Sequence, residues 1–408
     1  MTAPERIVIV GGSLAGLRAA ETLRGEGHEG SITVVAAEPG APYDRPPLSK
    51  QVLVGEWDGD RVALAAGADE SLELTWRRGV RATALDLATN TVTLDDGEPL
   101  SYDGLILATG ATPRWLPGTQ GVPGVHVLRT LDDALAIRDA ASGDGARVVV
   151  IGAGFIGAEV AASCRSMGAA VTLVEPLPTP LARVLGEAVG QVVAEVHRDQ
   201  GVDLRLGVGV SAVEEGPDGP VVRLADGDEL AADVVVVGIG VAPVTDWLEG
   251  SGLTLDDGVV CDETTLAAPG VVACGDVARW PNPRYGGELM RVEHWEHALD
   301  MGAHAARRLL AGDDGGEPFA PVPFFWSDQY DRKIQLAGRV RPDDDLEVVA
   351  GSFADRRFCA LYGRDGQVVG ALGMNMPAKV IRYRRQLGEG PLGWDEALEA
   401  AAAQAAGS

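Results

Sequence analysis

The sequence predicts an α/β protein made of two interleaved doubly wound units, each a parallel sheet wrapped by helices, with a C-terminal α+β segment after them. Three observations predict it. A buried-strand pattern, a glycine-rich turn, a helical pattern and a second strand run through Arg147–Glu175. The same order occurs at Arg6–Glu38. Beyond Pro323 the pattern changes to short sheet strands (Val348–Gly351, Gln367–Met374) and two helical stretches (Pro377–Gln386, Asp395–Ala405).

The run at Arg147–Glu175 is the more complete. Val148–Ile151 is continuously apolar, as a strand buried on both faces must be. Gly152, Gly154 and Gly157 follow, spaced G-x-G-x-x-G, and the strand Val171–Val174 ends on Glu175. Strand, glycines, helix and acid together specify a dinucleotide site. Gly152 makes the tight turn, Gly154 lets backbone approach a pyrophosphate, and Gly157 lets helix and strand pack closely. The helix start adds unpaired N–H groups and positive dipole. Glu175 lies 18 residues after Gly157, where a carboxylate accepts from a ribose 2′-hydroxyl and repels a 2′-phosphate, so NADH is expected over NADPH.

The run at Arg6–Glu38 repeats the plan with one departure. After the strand pattern Arg6–Gly11 come Gly11, Gly12, Ser13 and Gly16, a helix over Leu17–Arg24 and a strand over Ile32–Val35. Ser13 stands where a second glycine is usual; it is small enough if its backbone stays out of left-handed space. Glu38 is expected on an adenosine ribose. Two such sites 141 residues apart (Gly11 to Gly152) imply two adenine dinucleotides in one chain. Hydride transfer from a nicotinamide to a flavin is the simplest chemistry between them.

Composition narrows the classes. The chain has 408 residues, 46% of them hydrophobic, and a formal charge of −26. That charge argues against nucleic acid or an anionic membrane as partner. The longest apolar run, Val234–Val244, is too short to span a bilayer. No charged-then-apolar leader precedes Ile7, so none is expected. Cys164, Cys261, Cys274 and Cys359 form no C-x-x-C pair and read as reduced, mostly buried thiols of a cytoplasmic protein. No metal site is assigned. From Pro323 to Ser408 eleven basic and twelve acidic residues leave a net of −1, so nearly all the negative charge lies before it. Arg382, Arg384 and Arg385 are among the residues that form a basic face there if they cluster.

The two glycine units, with TTLAAPGVVACGD (Thr264–Asp276), resemble the FAD/NAD-linked reductases of glutathione-reductase-like, two-Rossmann-domain fold. Three further motifs, PYDRPPLSK (Pro42–Lys50), VEHWEHA (Val292–Ala298) and PFFWSDQYDRKIQLAG (Pro323–Gly338), are narrower. They resemble the ferredoxin reductases that serve oxygenase systems, of putidaredoxin-reductase type. The resemblance implies FAD contacts at Gly11, Ser13, Gly16, Glu38, Arg45, Lys50, Ala108, Thr109, Gly110, Arg129, Asp276, Val292, Glu293, His294, Trp295 and Trp326. It implies NAD contacts at Gly152, Gly154, Phe155, Ile156, Gly157, Glu175, Arg183, Gly238 and Gly240. Lys50 is expected near flavin N5, paired with Glu159, and Trp326 at the edge between flavin and partner. From the residues alone, Arg129 reads as a helix-start charge, Arg183 equally as a solvated arginine, and the Trp326 cluster as core.

The resemblance also implies the order of domains: FAD binding at 1–113 and 245–322, NAD binding at 114–244, and a C-terminal domain at 323–408 where an iron–sulfur ferredoxin docks; from the charges alone, its basic residues read equally as a scatter of solvated charges and as a basic face for an acidic ferredoxin. Val62–Thr93 is expected as short antiparallel strands, and Val202–Leu230 as hairpins. The implied activity is electron transfer from NADH through FAD, one electron at a time, to a ferredoxin that feeds a cytochrome P450 or Rieske oxygenase. An NADH-dependent peroxidase or disulfide reductase is an alternative, but no cysteine precedes Cys164 to serve as its relay. A signalling flavoprotein of the apoptosis-inducing-factor kind is another, and it expects a targeting segment and a basic surface.

Overall fold

The computed structural model describes residues 4–64, 71–143, 145–312 and 315–406. It falls into two compact units. One takes in the described residues of Met1–Asp44, Asp60–Thr112 and Ala242–Pro323; the other those of Arg45–Gly59, Pro113–Val241 and Phe324–Ser408.

In the first unit a six-stranded sheet runs in the order Leu266–Ala268, Val271–Ala273, Gly104–Leu107, Arg6–Val10, Ser31–Ala36, Leu74–Arg78. All neighbours are parallel except the edge strand Leu266–Ala268. The apolar run of Arg6–Val10 is central, and its Ile7–Val10 are buried. Helices Leu14–Gly25 and Trp295–Leu310 pack so closely that a Cβ on Gly302 would lie 2.5 Å from the Ala15 carbonyl oxygen. An antiparallel sheet, Ala82–Asp86, Thr91–Leu94 and Pro99–Ser101, contributes Leu85, Val92 and Leu94 to the same core.

Leu74–Arg78 corrects the expectation of antiparallel strands over Val62–Thr93: it is a parallel edge strand of the main sheet. Its sequence, LTWRR, is polar because an edge strand is covered on fewer sides, so it reads as surface. Residues 65–70 of that stretch lie outside the described residues.

In the second unit five parallel strands run in the order Asp203–Leu206, Ala170–Glu175, Arg147–Ile151, Val234–Val237, Val125–His126. Val210–Gly216, Gly219–Leu224 and Glu229–Ala231 make the hairpins expected over Val202–Leu230. The last segment builds a five-stranded antiparallel sheet, Phe324–Gln329, Arg332–Gly338, Gln367–Met374, Arg357–Arg364, Asp345–Ser352. Helix Ala182–Asp199 turns Leu185, Val189 and Val193 onto Ile334, Leu336, Phe358 and Leu372 of that sheet. This shared core ties Phe324–Ser408 into the unit. Gly186 breaks the helix near its start with φ +78, and the Tyr362 hydroxyl donates to the Leu185 carbonyl at 2.8 Å.

Candidate functional site

The two glycine turns have the same construction. Gly11 (φ +124) and Gly152 (φ +99) are left-handed, and added Cβ atoms would strike the Ala108 oxygen at 2.0 Å and the Gly238 oxygen at 2.4 Å. Cβ atoms on Gly16 and Gly157 would each sit 1.9 Å from the carbonyl oxygen of the first glycine. Those four glycines are demanded by the fold itself.

The middle position differs. Gly154 has ordinary extended angles (φ −72, ψ −177), and a Cβ there would meet no protein atom within 4 Å. Ser13 is likewise extended (φ −101), so a side chain costs its backbone nothing. The space over Gly154 is open, as a pyrophosphate at a helix N-terminus requires. Gly154→Ala should therefore change stability by no more than about 1 kcal/mol. It should weaken NADH binding by roughly tenfold to a hundredfold as the methyl meets the phosphates; unfolding and NADH titrations read the two effects separately.

Gly238 is small for a local reason: its Cβ would lie 3.3 Å from Gly157 Cα, so it seats the strand end on the turn. Gly240 (φ +96) faces open space. Ile239 between them is 37% exposed, and Ile156 at the helix start is 48% exposed. Sequence reading passed over Ile239; its signal was an apolar residue between two glycines after a buried strand. Phe155, by contrast, turns inward and meets Phe325 edge to face at 4.5 Å. Arg183 is exposed at the start of its helix. Glu175 is buried, and it accepts N–H bonds from Ala153 in the turn (2.8 Å) and from Leu177 (3.1 Å).

Of the residues singled out for flavin, those in the first unit are Gly11, Ser13, Gly16, Glu38, Ala108, Thr109, Gly110, Asp276, Val292, Glu293, His294 and Trp295. Glu38 accepts from the Tyr43 hydroxyl. Thr109 donates to the Val244 carbonyl at 2.9 Å, and the Trp295 indole to Asp44. Asp276 sits in the short turn Gly275–Val277. Val292 is core, and Glu293 pairs with Arg291.

Arg45, Lys50, Arg129 and Trp326 belong to the second unit. Arg45 donates to the Arg129 carbonyl at 2.6 Å, and the Arg129 N–H donates to Asp133 before helix Leu131–Ala141. The short helix Pro46–Ser49 delivers Lys50 to Glu159 at 2.8 Å. Glu159 is 3% exposed. Helical spacing puts Phe155, Glu159 and Ser163 on one face. Ser163 donates to the Ser49 carbonyl at 2.6 Å, fixing the loop that carries Lys50. Ser49 donates to one Glu159 oxygen (2.5 Å) and Ser327 to the other (2.7 Å).

Thus the strand Phe324–Gln329 reaches Glu159 through Ser327 and not through Trp326, whose side chain leaves the other face of the strand. Sequence reading missed Ser49 and Ser327. One lies beside a singled-out lysine and the other beside a singled-out tryptophan, so adjacency was the signal.

All four cysteines are buried and unpaired. Burial pushes the Cys164, Cys274 and Cys359 thiols up to about 12. None is a thiolate poised to relay electrons. Among the described residues no helix is long and apolar enough to cross a membrane.

Comparisons with known proteins agree with this construction. The profile of the pyridine nucleotide-disulphide oxidoreductase family matches residues 5–302, and that of the reductase C-terminal family matches residues 324–403. Rhodocoxin reductase of Rhodococcus erythropolis is 38% identical over 400 residues, covering 96% of this chain and 92% of that protein. The ferredoxin–NAD(+) reductase component of the anthranilate 1,2-dioxygenase system of Burkholderia cepacia is 36% identical over 390 residues, 94% of each. The crystal structure of the covalent putidaredoxin reductase–putidaredoxin complex superimposes with a TM-score of 0.91 at 32% identity, covering 100% of both chains. Buried strands, two glycine turns of one construction, paired lysine and glutamate, and a reductase C-terminal segment therefore place this chain in the pyridine nucleotide-disulphide oxidoreductase family, among its FAD- and NADH-dependent ferredoxin reductases.

Proposed function

We propose that the protein takes a hydride from NADH and delivers its electrons singly to an acidic iron–sulfur ferredoxin that feeds a cytochrome P450 or Rieske oxygenase. One observation carries the reading: two dinucleotide turns share a chain whose four cysteines are all buried. Bound FAD supplies the conversion of a two-electron donor to one-electron steps. Thiol relays of the disulfide-reductase kind have no residue to use.

In this reading 1–113 and 245–322 hold FAD. The turn at Gly11, Ser13 and Gly16 takes its pyrophosphate, Glu38 its adenosine ribose and Asp276 its ribityl chain. Residues 114–244 hold NADH: the turn Gly152–Gly157 takes the pyrophosphate, Glu175 the ribose, and the exposed Ile156 and Ile239 an apolar ring. Lys50 supplies the cation beside the flavin, and Glu159 with its two hydroxyl donors fixes where that cation stands. Positioning of this kind is most of what hydride transfer asks of a protein.

Residues 323–408 present the partner surface, with Trp326 at its edge. On helix Pro377–Glu389, Ile381 is 47% exposed, and Arg382 and Arg385 are exposed beside it. An apolar residue flanked by two arginines, one of them paired with Glu389, suits an acidic ferredoxin. Arg384 instead lies over the Phe324 ring at 4.6 Å and belongs to the packing. The buried, unpaired thiols fit a protein working in the cytoplasm.

The test is a coupled assay. Reversing Arg382 and Arg385 to glutamate should slow ferredoxin reduction about tenfold at low salt. Turnover of NADH with ferricyanide should be spared. Equal loss in both assays removes the docking surface. A yellow holoprotein that fails to bleach with NADH under argon removes the electron-transfer reading altogether.

A further inference from the structure

A buried chain of hydrogen bonds runs on from Glu159. Ser327 Oγ lies 2.7 Å from Glu159 Oε1, Gln329 Nε2 3.3 Å from Ser327 Oγ, His197 Nε2 3.1 Å from Gln329 Oε1, and the Tyr330 hydroxyl 3.1 Å from His197 Nδ1. His197 is fully buried on helix Ala182–Asp199, and Gln329 and Ser327 are buried on their strand.

The carboxylate fixes the direction of every bond. It can only accept, so the Ser327 hydroxyl donates to it. That hydroxyl has no second hydrogen, so its oxygen must accept from the Gln329 amide nitrogen. The amide oxygen is then turned to His197, whose Nε2 must carry a hydrogen. Nδ1 is left as an acceptor, and Tyr330 donates to it. All donors thus point toward Glu159, and the tautomer of a histidine three links away follows from one charge. Burial pushes His197 down to about 4, in keeping with a neutral ring. Tyr330 holds a left-handed backbone (φ +56), unusual for so large a residue, in the turn that brings its hydroxyl to His197.

We infer that His197 is a positioning residue: through Gln329 and Ser327 it locks the Glu159 carboxylate, and so the Lys50 ammonium, in the geometry used for hydride transfer. The inference rests on the reading of Lys50 as the cation beside the flavin. Without the ring nitrogens the Gln329 amide is free to turn over, and its oxygen would then face that of Ser327. The serine hydroxyl would leave Glu159.

Two measurements test this. In the full-length holoprotein labelled with 15N-histidine, His197 should show the neutral ring protonated at Nε2, its signal assigned by loss in His197→Phe. A cationic ring or an Nδ1–H tautomer overturns the chain, whatever the flavin does. In stopped flow, His197→Phe and Ser327→Ala should each slow flavin bleaching at saturating NADH by about tenfold, the scale of a small misplacement. The NADH dissociation constant should not move. Because both act along one route, the double variant should be no slower than the slower single one. Losses that multiply overturn the proposal. Should His197→Phe fail to fold, Gln329→Leu cuts the same chain, and unchanged bleaching there is equally fatal. Lys50→Met separates the two readings. If it leaves bleaching untouched, the role of Lys50 fails, and the kinetic half of this inference with it. If it slows bleaching while the chain variants do not, only this inference fails.

Discussion

Lys50→Met is expected to cost about 3–5 kcal/mol of stability, the range for breaking a buried ion pair from one side. It should also slow bleaching of the flavin by NADH about a hundredfold, as losing a preorganised charge does. The stability loss follows from what is left behind. Glu159 is 3% exposed and, among the described residues, keeps only the Ser49 and Ser327 hydroxyls after the ammonium at 2.8 Å is gone. Two neutral donors do not offset a desolvated charge. The double variant Lys50→Met/Glu159→Gln removes that charge as well, so it should regain about 1–3 kcal/mol relative to the sum of the single losses. It should regain none of the rate, because the cation beside the flavin is still missing. Urea unfolding and stopped flow read the two quantities apart. A double variant as unstable as the summed singles would mean that packing, and not charge, sets the cost. A rate restored along with stability would remove Lys50 from the chemistry.

The ion pair was legible before any coordinates because its residues lie in motifs, and so were the parts of the fold with a strict period. Val148–Ile151 and Ile7–Val10 are apolar throughout since both faces are covered, and the glycines after them mark where chain crosses chain. One edge element was not legible. Leu74–Arg78 is covered on fewer sides and is polar, so it does not announce a strand. The site was half readable. The extended backbone at Gly154 and Ser13 could be anticipated because the demand on it is local. Ser49, Ser327, Gln329 and His197 act by meeting across a core from separate segments, and nothing at a single position shows that. The face of helix Phe155–Ser166 shows the limit: Phe155, Glu159 and Ser163 fall on one stripe, yet their partners Phe325, Ser327 and Ser49 come from two distant stretches.

Glu175→Ala should cut the preference for NADH over NADPH, taken as the ratio of the two kcat/KM values, by roughly tenfold to a hundredfold. In the proposed site the carboxylate and a 2′-phosphate would be like charges at hydrogen-bond range, and even at an effective dielectric near 20 each pair of unit charges at 4 Å is worth about 4 kcal/mol, an upper bound here. The ratio is the right quantity because Glu175 has a second task. Its two oxygens hold the Ala153 and Leu177 N–H groups, so its loss also loosens the glycine turn. That loosening weakens both nucleotides alike, since they share a pyrophosphate, and it cancels in the ratio. The absolute kcat/KM for NADH should therefore fall by about tenfold, the worth of one or two lost hydrogen bonds, while NADPH gains from the removed repulsion and loses from the turn. Glu175→Gln sharpens the comparison. Its single oxygen can serve only one of the two N–H groups, so the turn is half held, yet the charge is fully gone. The two variants should then share a ratio and differ in absolute rate. If alanine and glutamine leave the ratio where it began, discrimination is made elsewhere, and Glu175 is a brace for the turn and nothing more.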